Sequence, residues 1–100
     1  MVIEYYENLL SIQTGNSVIH MNTYGERLEV ALSTQIKVEL VEHDMDQKDL
    51  AAAIGIESAT LSRYLKGHRN MPMPTFFKVA EALGVTPRVL MERAEARIQQ

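Results

Sequence analysis

Two short helical patterns stand almost next to each other in the middle of this sequence. Residues 47–54 and residues 58–66 each carry apolar side chains at helical spacing, and only three residues separate them. Gly55 can adopt the left-handed backbone that ends a helix, and Ile56 can place an apolar side chain against a core. Because the linker is so short, the two helices must cross steeply, and the pattern predicts a compact helix-turn-helix unit.

Three further helices are predicted around this unit from the same apolar periodicity. Asp46 is expected to cap the helix at 47–54, and Thr86 is expected to cap the last helix, because their side-chain oxygens can accept from free backbone amides. Glycine and proline mark the other boundaries, with Thr75 expected to open the fourth helix. The additional helices are predicted at 26–43, 75–83 and 87–98.

The apolar positions of these helices define a predicted core. The first helix is expected to turn inward Leu28, Leu32, Ile36, Leu40 and His43, leaving Glu29, Lys37, Glu39 and Glu42 on its other faces. Ala51, Ala52 and Ala53 are small enough for close helix packing. The later helices are expected to bury Leu50, Ala51, Ile54, Ile56, Leu61, Tyr64, Leu65, Met73, Phe76, Val79, Ala80 and Leu83.

Composition limits what the chain can be. Its 100 residues, 46% of them hydrophobic, suffice for one modest core. There is no cysteine, and the three histidines are scattered, so neither disulfides nor a metal site is predicted. No clustered nucleophile or carboxylate pair appears, so we expect no cofactor and no enzymatic activity. With no apolar run of membrane-spanning length and no signal-peptide pattern, a cytoplasmic protein is expected.

Charge is distributed unevenly along the chain. The net charge is −3, which by itself does not suggest binding to nucleic acid. Residues 1–46 carry eight acidic and two basic residues, whereas residues 60–80 carry four basic residues and no acidic one. A local basic stretch in an otherwise acidic chain is typical of a single phosphate-binding face, although a solvated basic surface is the alternative.

The helical unit carries a family resemblance. The stretch 46–67, DQKDLAAAIGIESATLSRYLKG, and the stretch 77–85, FKVAEALGV, resemble the Cro/C1-type (Xre) helix-turn-helix family, over roughly residues 26–90. The resemblance implies an all-α, five-helix, lambda-repressor-like domain at 23–100, preceded by an extra segment at 1–22. It also implies that the third helix enters the major groove of double-stranded DNA.

Position by position, the resemblance also implies DNA-contacting residues. The implied base-contacting positions are Ser58, Ala59 and Arg63, with Thr60 and Ser62 in support. Arginine can bind guanine O6 and N7 with two hydrogen bonds, and alanine can pack on a thymine methyl. The implied phosphate-contacting positions are Gln47, Lys48, Lys66, His68 and Arg69. Glu57 departs from the family, which usually has serine or threonine there.

Two functions are implied by this resemblance. The first is a transcriptional regulator, such as a phage or prophage repressor, that binds as a dimer. The second is the antitoxin of a toxin–antitoxin pair, whose acidic N-terminal half binds a basic toxin. Residues 1–22 are either an arm or helix that contacts a protein partner, or dispensable upstream sequence. Dimerisation is expected through this arm or through the last helix, whose candidate residues are Val89, Leu90, Ala94 and Ile98.

Overall fold

The computed structural model describes residues 23–98 and folds them into five α-helices, with no strand in that range. The predicted all-α, five-helix architecture is therefore confirmed. The predictions made for residues 1–22 lie outside the described residues. The helices are α1 (Tyr24–Glu42), α2 (Gln47–Ile54), α3 (Ser58–Leu65), α4 (Met73–Ala82) and α5 (Pro87–Ile98).

One core joins all five helices. The longest helix, α1, packs along α5, while α2 packs against both α3 and α4. The contacts of α1 with α3 and of α4 with α5 close the arrangement. The largest apolar side chains with almost no exposure are Ile36, Leu50, Leu61, Val79, Leu83 and Leu90. None of the helices between residues 23 and 98 is long and apolar enough to span a membrane.

Helix α1 begins two residues earlier than predicted, because a capping box fixes its first turn. The Thr23 side chain accepts from the Glu26 amide at 3.1 Å, and the Glu26 carboxylate accepts from the Thr23 amide at 2.8 Å. This reciprocal pattern satisfies two amides that a helix start otherwise leaves unpaired. At α5 the predicted cap is confirmed, since Thr86 Oγ1 accepts from the Val89 amide at 3.1 Å.

The predicted start of α4 at Thr75 is wrong. Helix α4 begins at Met73, with Pro72 as its N-cap and Pro74 in its first turn. Proline is compatible with the first turn of a helix because its missing N–H would have no intrahelical partner there. The prediction that Met73 is buried is also wrong, since its side chain is 61% exposed on this first turn.

The predicted inner face of α1 is wrong at two positions. Glu39, predicted on an outer face, has no solvent exposure, whereas His43, predicted inside, is exposed. Gln35 is also buried, next to Ile36. The cause is α5, which packs along α1 and covers polar positions that flank the apolar stripe.

The last helix does not offer the whole dimer surface that its sequence suggested. Leu90 and Ala94 are fully buried in the core, so they are unavailable to a second copy while the domain is folded. Val89 and Ile98 are only partly buried. In α5, apolar spacing therefore marks an internal packing face.

Candidate nucleic-acid interface

Helix α2 starts at a second capping box, formed by two aspartates. Asp46 Oδ1 accepts from the Asp49 amide at 2.8 Å, and Asp49 Oδ2 accepts from the Asp46 amide at 3.2 Å. The prediction that Asp46 caps this helix is confirmed. The box fixes where the first turn of α2 begins, and with it the positions of Gln47 and Lys48. Gln47 is half-buried, and Lys48 is exposed.

The turn between α2 and α3 depends on one glycine. Gly55 has φ 78° and ψ 32°, and its amide donates to Ala51 O at 2.9 Å. The Ile56 amide also donates to Ala51 O, at 3.0 Å, so the chain reverses within two residues. Ile56 is half-buried against the core, as predicted. Left-handed backbone of this kind costs glycine nothing but is unfavourable for other residues.

Close packing of α2 and α3 does not use all three alanines. Ala51 is buried, but Ala52 and Ala53 are exposed, so the prediction that all three pack between helices is wrong for these two. Helix α2 reaches its neighbours through the stripe formed by Leu50, Ala51 and Ile54.

Helix α3 is fixed to the domain along one side. Leu61 and Leu65 are essentially inaccessible, and Tyr64 is only 9% exposed, so Tyr64 belongs to the core, as predicted. The Ser33 hydroxyl of α1 also donates to Tyr64 O, at 3.5 Å. Glu57 is the N-cap residue of α3, but its side chain makes no capping hydrogen bond.

The opposite side of α3 is exposed, polar and basic. At roughly 100° per residue, Ser58, Ala59, Ser62, Arg63 and Lys66 fall within an arc of about 140°. Of these five, only Ser62 is partly buried. The structure therefore brings the predicted base-contacting positions onto one face, except for Thr60. That residue is half-buried and lies toward the Tyr64 side of the helix.

A compact loop continues this face beyond the end of α3. Gly67 has φ 79°, and its amide donates to Tyr64 O at 3.1 Å. The His68 amide donates to Arg63 O at 2.9 Å, which holds the loop against the last turn of the helix. Lys66, His68 and Arg69 are all exposed in this segment.

The cations of this region have no carboxylate partner between residues 23 and 98. Within residues 23–98, ion pairs join Arg88 to Glu92 and Arg93 to Glu39. Lys48, Arg63, Lys66 and Arg69 form no ion pair with the described part of the chain, so they are available to an anionic ligand. The exposed face of α3 and the loop after it form one continuous surface, the α3 surface, whose members are Ser58, Ala59, Ser62, Arg63, Lys66, His68 and Arg69.

The family of the chain is established by its sequence. The helix-turn-helix family model matches residues 36–90, which span most of the five-helix domain, including all of α2, α3 and α4. The chain belongs to the helix-turn-helix family. The Cro/C1-type resemblance seen in stretches 46–67 and 77–85 is thereby confirmed. In this helix-turn-helix domain, α2 and α3 are the two helices of the motif.

Two individual proteins are similar to parts of this chain. The crystal structure of the clp gene regulator ClgR from Corynebacterium glutamicum matches with a TM-score of 0.68 and 19% sequence identity, covering 72% of this chain and 77% of that one. At this identity the likeness shows the fold. A 60-residue stretch is 35% identical to the replication factor C small subunit of Thermococcus kodakarensis. That stretch is 60% of this chain but only 7% of the relative's length.

A polar network between α1 and α5 was not predicted from the sequence. Gln35 Nε2 and Arg93 Nη1 each donate to Glu39 Oε2 at 2.7 Å. Arg97 Nε donates to Gln35 Oε1, also at 2.7 Å. The four side chains join α1 to α5. A signal was present, since Glu39 stands three residues after Ile36 and directly before Leu40, within the apolar stripe.

This network determines the protonation of Glu39. Burial raises the pKa of its carboxyl group. The hydrogen bonds from Arg93 and Gln35, together with the positive charges of Arg93 and His43, outweigh burial and leave the pKa below its ordinary value of 4.5. Glu39 is therefore charged near neutral pH, and its charge is held by Arg93.

Proposed function

We propose that this protein is a sequence-specific, DNA-binding transcriptional regulator whose helix α3 reads base edges in the major groove. One observation carries the proposal. In a helix-turn-helix domain, the exposed face of α3 holds short polar side chains and an exposed arginine, Arg63, which forms no ion pair within residues 23–98. The opposite face is fixed to the core. A rigid helix with a small polar outer face fits the width of the major groove.

Each candidate DNA-contacting residue has a proposed role. Ser58, Ala59 and Arg63 contact bases, with Thr60 and Ser62 in support. Arg63 supplies most of the discrimination, because a bidentate contact to guanine contributes about 1–3 kcal/mol. The phosphate contacts are assigned to Gln47, Lys48, Lys66, His68 and Arg69. They position α3 without selecting a sequence.

The regulator is proposed to act as a repressor of the kind that phages and prophages encode. It would bind as a homodimer to two half-sites about one helical turn apart and occlude a promoter. The support is the Cro/C1-type sequence pattern together with the solvent exposure of Ser58, Ala59 and Arg63 on the outer face of α3. An antitoxin that represses its own operon would bind DNA through the same surface.

The test begins with sites identified by genome-wide footprinting of the full-length protein. Binding to the best site and to an unrelated duplex is then measured by fluorescence anisotropy for the wild type, Arg63→Ala and Arg88→Ala. Arg88 is the matched control, because its side chain is 86% exposed and lies on α5. We expect Arg63→Ala to weaken specific binding by about 10- to 100-fold and to affect the unrelated duplex far less. Full-strength specific binding by Arg63→Ala would contradict the proposal.

Repression and toxin neutralisation are separated by a second measurement. A reporter under the footprinted promoter should lose transcription when the wild type is expressed and keep it with Arg63→Ala. A regulator that silences its promoter without a protein partner is a repressor in its own right. If the chain is recovered in a stable complex with a basic protein encoded beside it, the antitoxin is the better description.

A further inference from the structure

A groove of ≈ 830 Å³ lies between the first half of α1, the loop after α3 and the start of α4. Two of its lining residues, Val30 and Met73, are large apolar side chains that remain 67% and 61% exposed. Exposed apolar side chains that line one continuous groove are typical of a surface that another segment covers.

The interior of the groove suits an apolar occupant. Phe76 is buried at its base, and Met71 and Met91 are partly buried beside it. Methionine side chains are flexible and polarisable, so they adapt to the shape of whatever packs on them. The groove thus has a buried phenylalanine at its base and flexible methionine side chains beside it.

The rim of the groove carries charges of both signs at different ends. Lys37, Lys66 and Arg69 line the part formed by the middle of α1 and the loop after α3, whereas Glu26 and Glu29 line the part nearest the start of α1. The three cations form no ion pair within residues 23–98. An occupant that carries carboxylates away from its C-terminal end would complement this rim.

We propose that residues 1–22 of the same chain dock in this groove. This segment ends directly before Thr23, the N-cap of α1, so it leaves the domain about one turn from Glu26, where the groove begins. Five of its apolar residues fall at helical spacing, namely Val2, Ile3, Tyr6, Leu9 and Leu10. It also carries two carboxylates and no lysine or arginine.

The segment is long enough to span the groove, and its charges can be placed opposite those of the rim. From Glu26 to Lys37 the groove follows α1 for about 17 Å, at about 1.5 Å per helical residue. Twenty-two residues exceed this length even when fully helical. To lie in the groove the chain must reverse at Thr23, which brings Glu4 and Glu7 toward Lys37, Lys66 and Arg69. The observations behind this assignment do not involve DNA binding, but Lys66 and Arg69 belong to both proposals.

The test uses the full chain, which has no native cysteine, so one introduced thiol carries a unique probe. A nitroxide spin label is attached at Asn8→Cys, and amide signals of the ¹⁵N-labelled protein are compared before and after reduction of the label. We expect much stronger broadening at Val30 and Met73 than at Ala53. Ala53 is the matched control, since it is exposed on α2 and does not line the groove. Val41, which is 79% exposed and outside the groove, serves below as the substitution control.

Substitutions on the groove itself supply the second arm. Val30→Asp in the labelled protein should abolish broadening at Met73, whereas Val41→Asp should leave it intact. Both sites are well exposed, and circular dichroism checks that the helices persist. If Val30→Asp unfolds the domain, Met73→Asp provides the same test, with broadening read at Val30.

Two results would overturn the proposal. The first is the absence of broadening at the groove residues in the labelled wild-type background. The second is broadening that appears in a mixture of ¹⁵N-labelled chains without the spin label and unlabelled chains that carry it. That result would assign the groove to the segment of a second copy.

Discussion

Arg93 Nη1 of α5 lies 2.7 Å from Glu39 Oε2 of α1, and the carboxylate it contacts has no exposure to solvent. This ion pair lies between α1 and α5, and neither residue belongs to the α3 surface. Burying a charge is costly unless it is paired and hydrogen-bonded, and Glu39 accepts from both Arg93 and Gln35. The pair therefore links α5 to α1 through a buried carboxylate.

The stability that Glu39 provides should depend on pH. Its pKa is lower in the folded protein than its ordinary value of 4.5, so the stabilisation is complete above that value. It is lost as the pH falls through the folded-state pKa. We expect Glu39→Gln to be less stable than the wild type at pH 7, and the gap should narrow below pH 4.5.

Urea unfolding at a series of pH values measures this gap. Glu81→Gln is the control, because Glu81 is an exposed carboxylate outside the network. A gap between the wild type and Glu39→Gln that stays constant from pH 7 down to acid unfolding would mean that the pair contributes nothing through its charge.

Replacing Gly55 by alanine should lower the free energy of unfolding, although the added side chain is only a methyl group. No atom lies within 4 Å of a Cβ placed there, so the cost of Gly55→Ala comes from its φ of 78°. We expect a loss of about 1–2 kcal/mol in the free energy of unfolding. Gly25→Ala, in helical backbone with its nearest neighbour at 3.9 Å, should be neutral or stabilising by up to about 1 kcal/mol. Equal effects of the two substitutions would contradict the role of the turn.

The starts of α2 and α3 should respond differently to alanine. Asp46 accepts from the Asp49 amide, whereas Glu57 makes no capping hydrogen bond. Asp46→Ala should therefore lower the free energy of unfolding by about 1 kcal/mol, and Glu57→Ala should change it by less than about 0.5 kcal/mol. Denaturant unfolding of both variants, followed by circular dichroism, checks the difference. Comparable losses would show that Glu57 caps α3 in solution.

Lys66 and Arg69 should control affinity for DNA without controlling specificity. If each neutralises one phosphate, Lys66→Ala and Arg69→Ala should weaken binding to specific and unrelated duplexes alike. Each should also reduce the slope of log affinity against log salt by about 0.9. Lys78→Ala on α4 is the control, as an exposed lysine outside the α3 surface. An unchanged salt slope in both loop variants would remove these residues from the phosphate contacts.

Local features of the chain were predicted well because local chemistry decides them. The aspartate before α2, the glycine after it and the threonine before α5 act on backbone within a few residues. Their roles therefore appear in the sequence as they do in the structure. The outer face of α3 was also predictable, since its apolar side is anchored by Leu61, Tyr64 and Leu65 at helical spacing.

The sequence by itself determined the number of helices, the helix-turn-helix family and which residues α3 exposes. Only the tertiary structure decided how the helices cover one another. Glu39 is buried because α5 lies along α1. Leu90 and Ala94 are buried in the same contact between the two helices. Met73 is left exposed because α4 begins early, on the open side of a groove. Helical periodicity indicates which residues share a face, but which face finds a partner depends on residues distant in the chain.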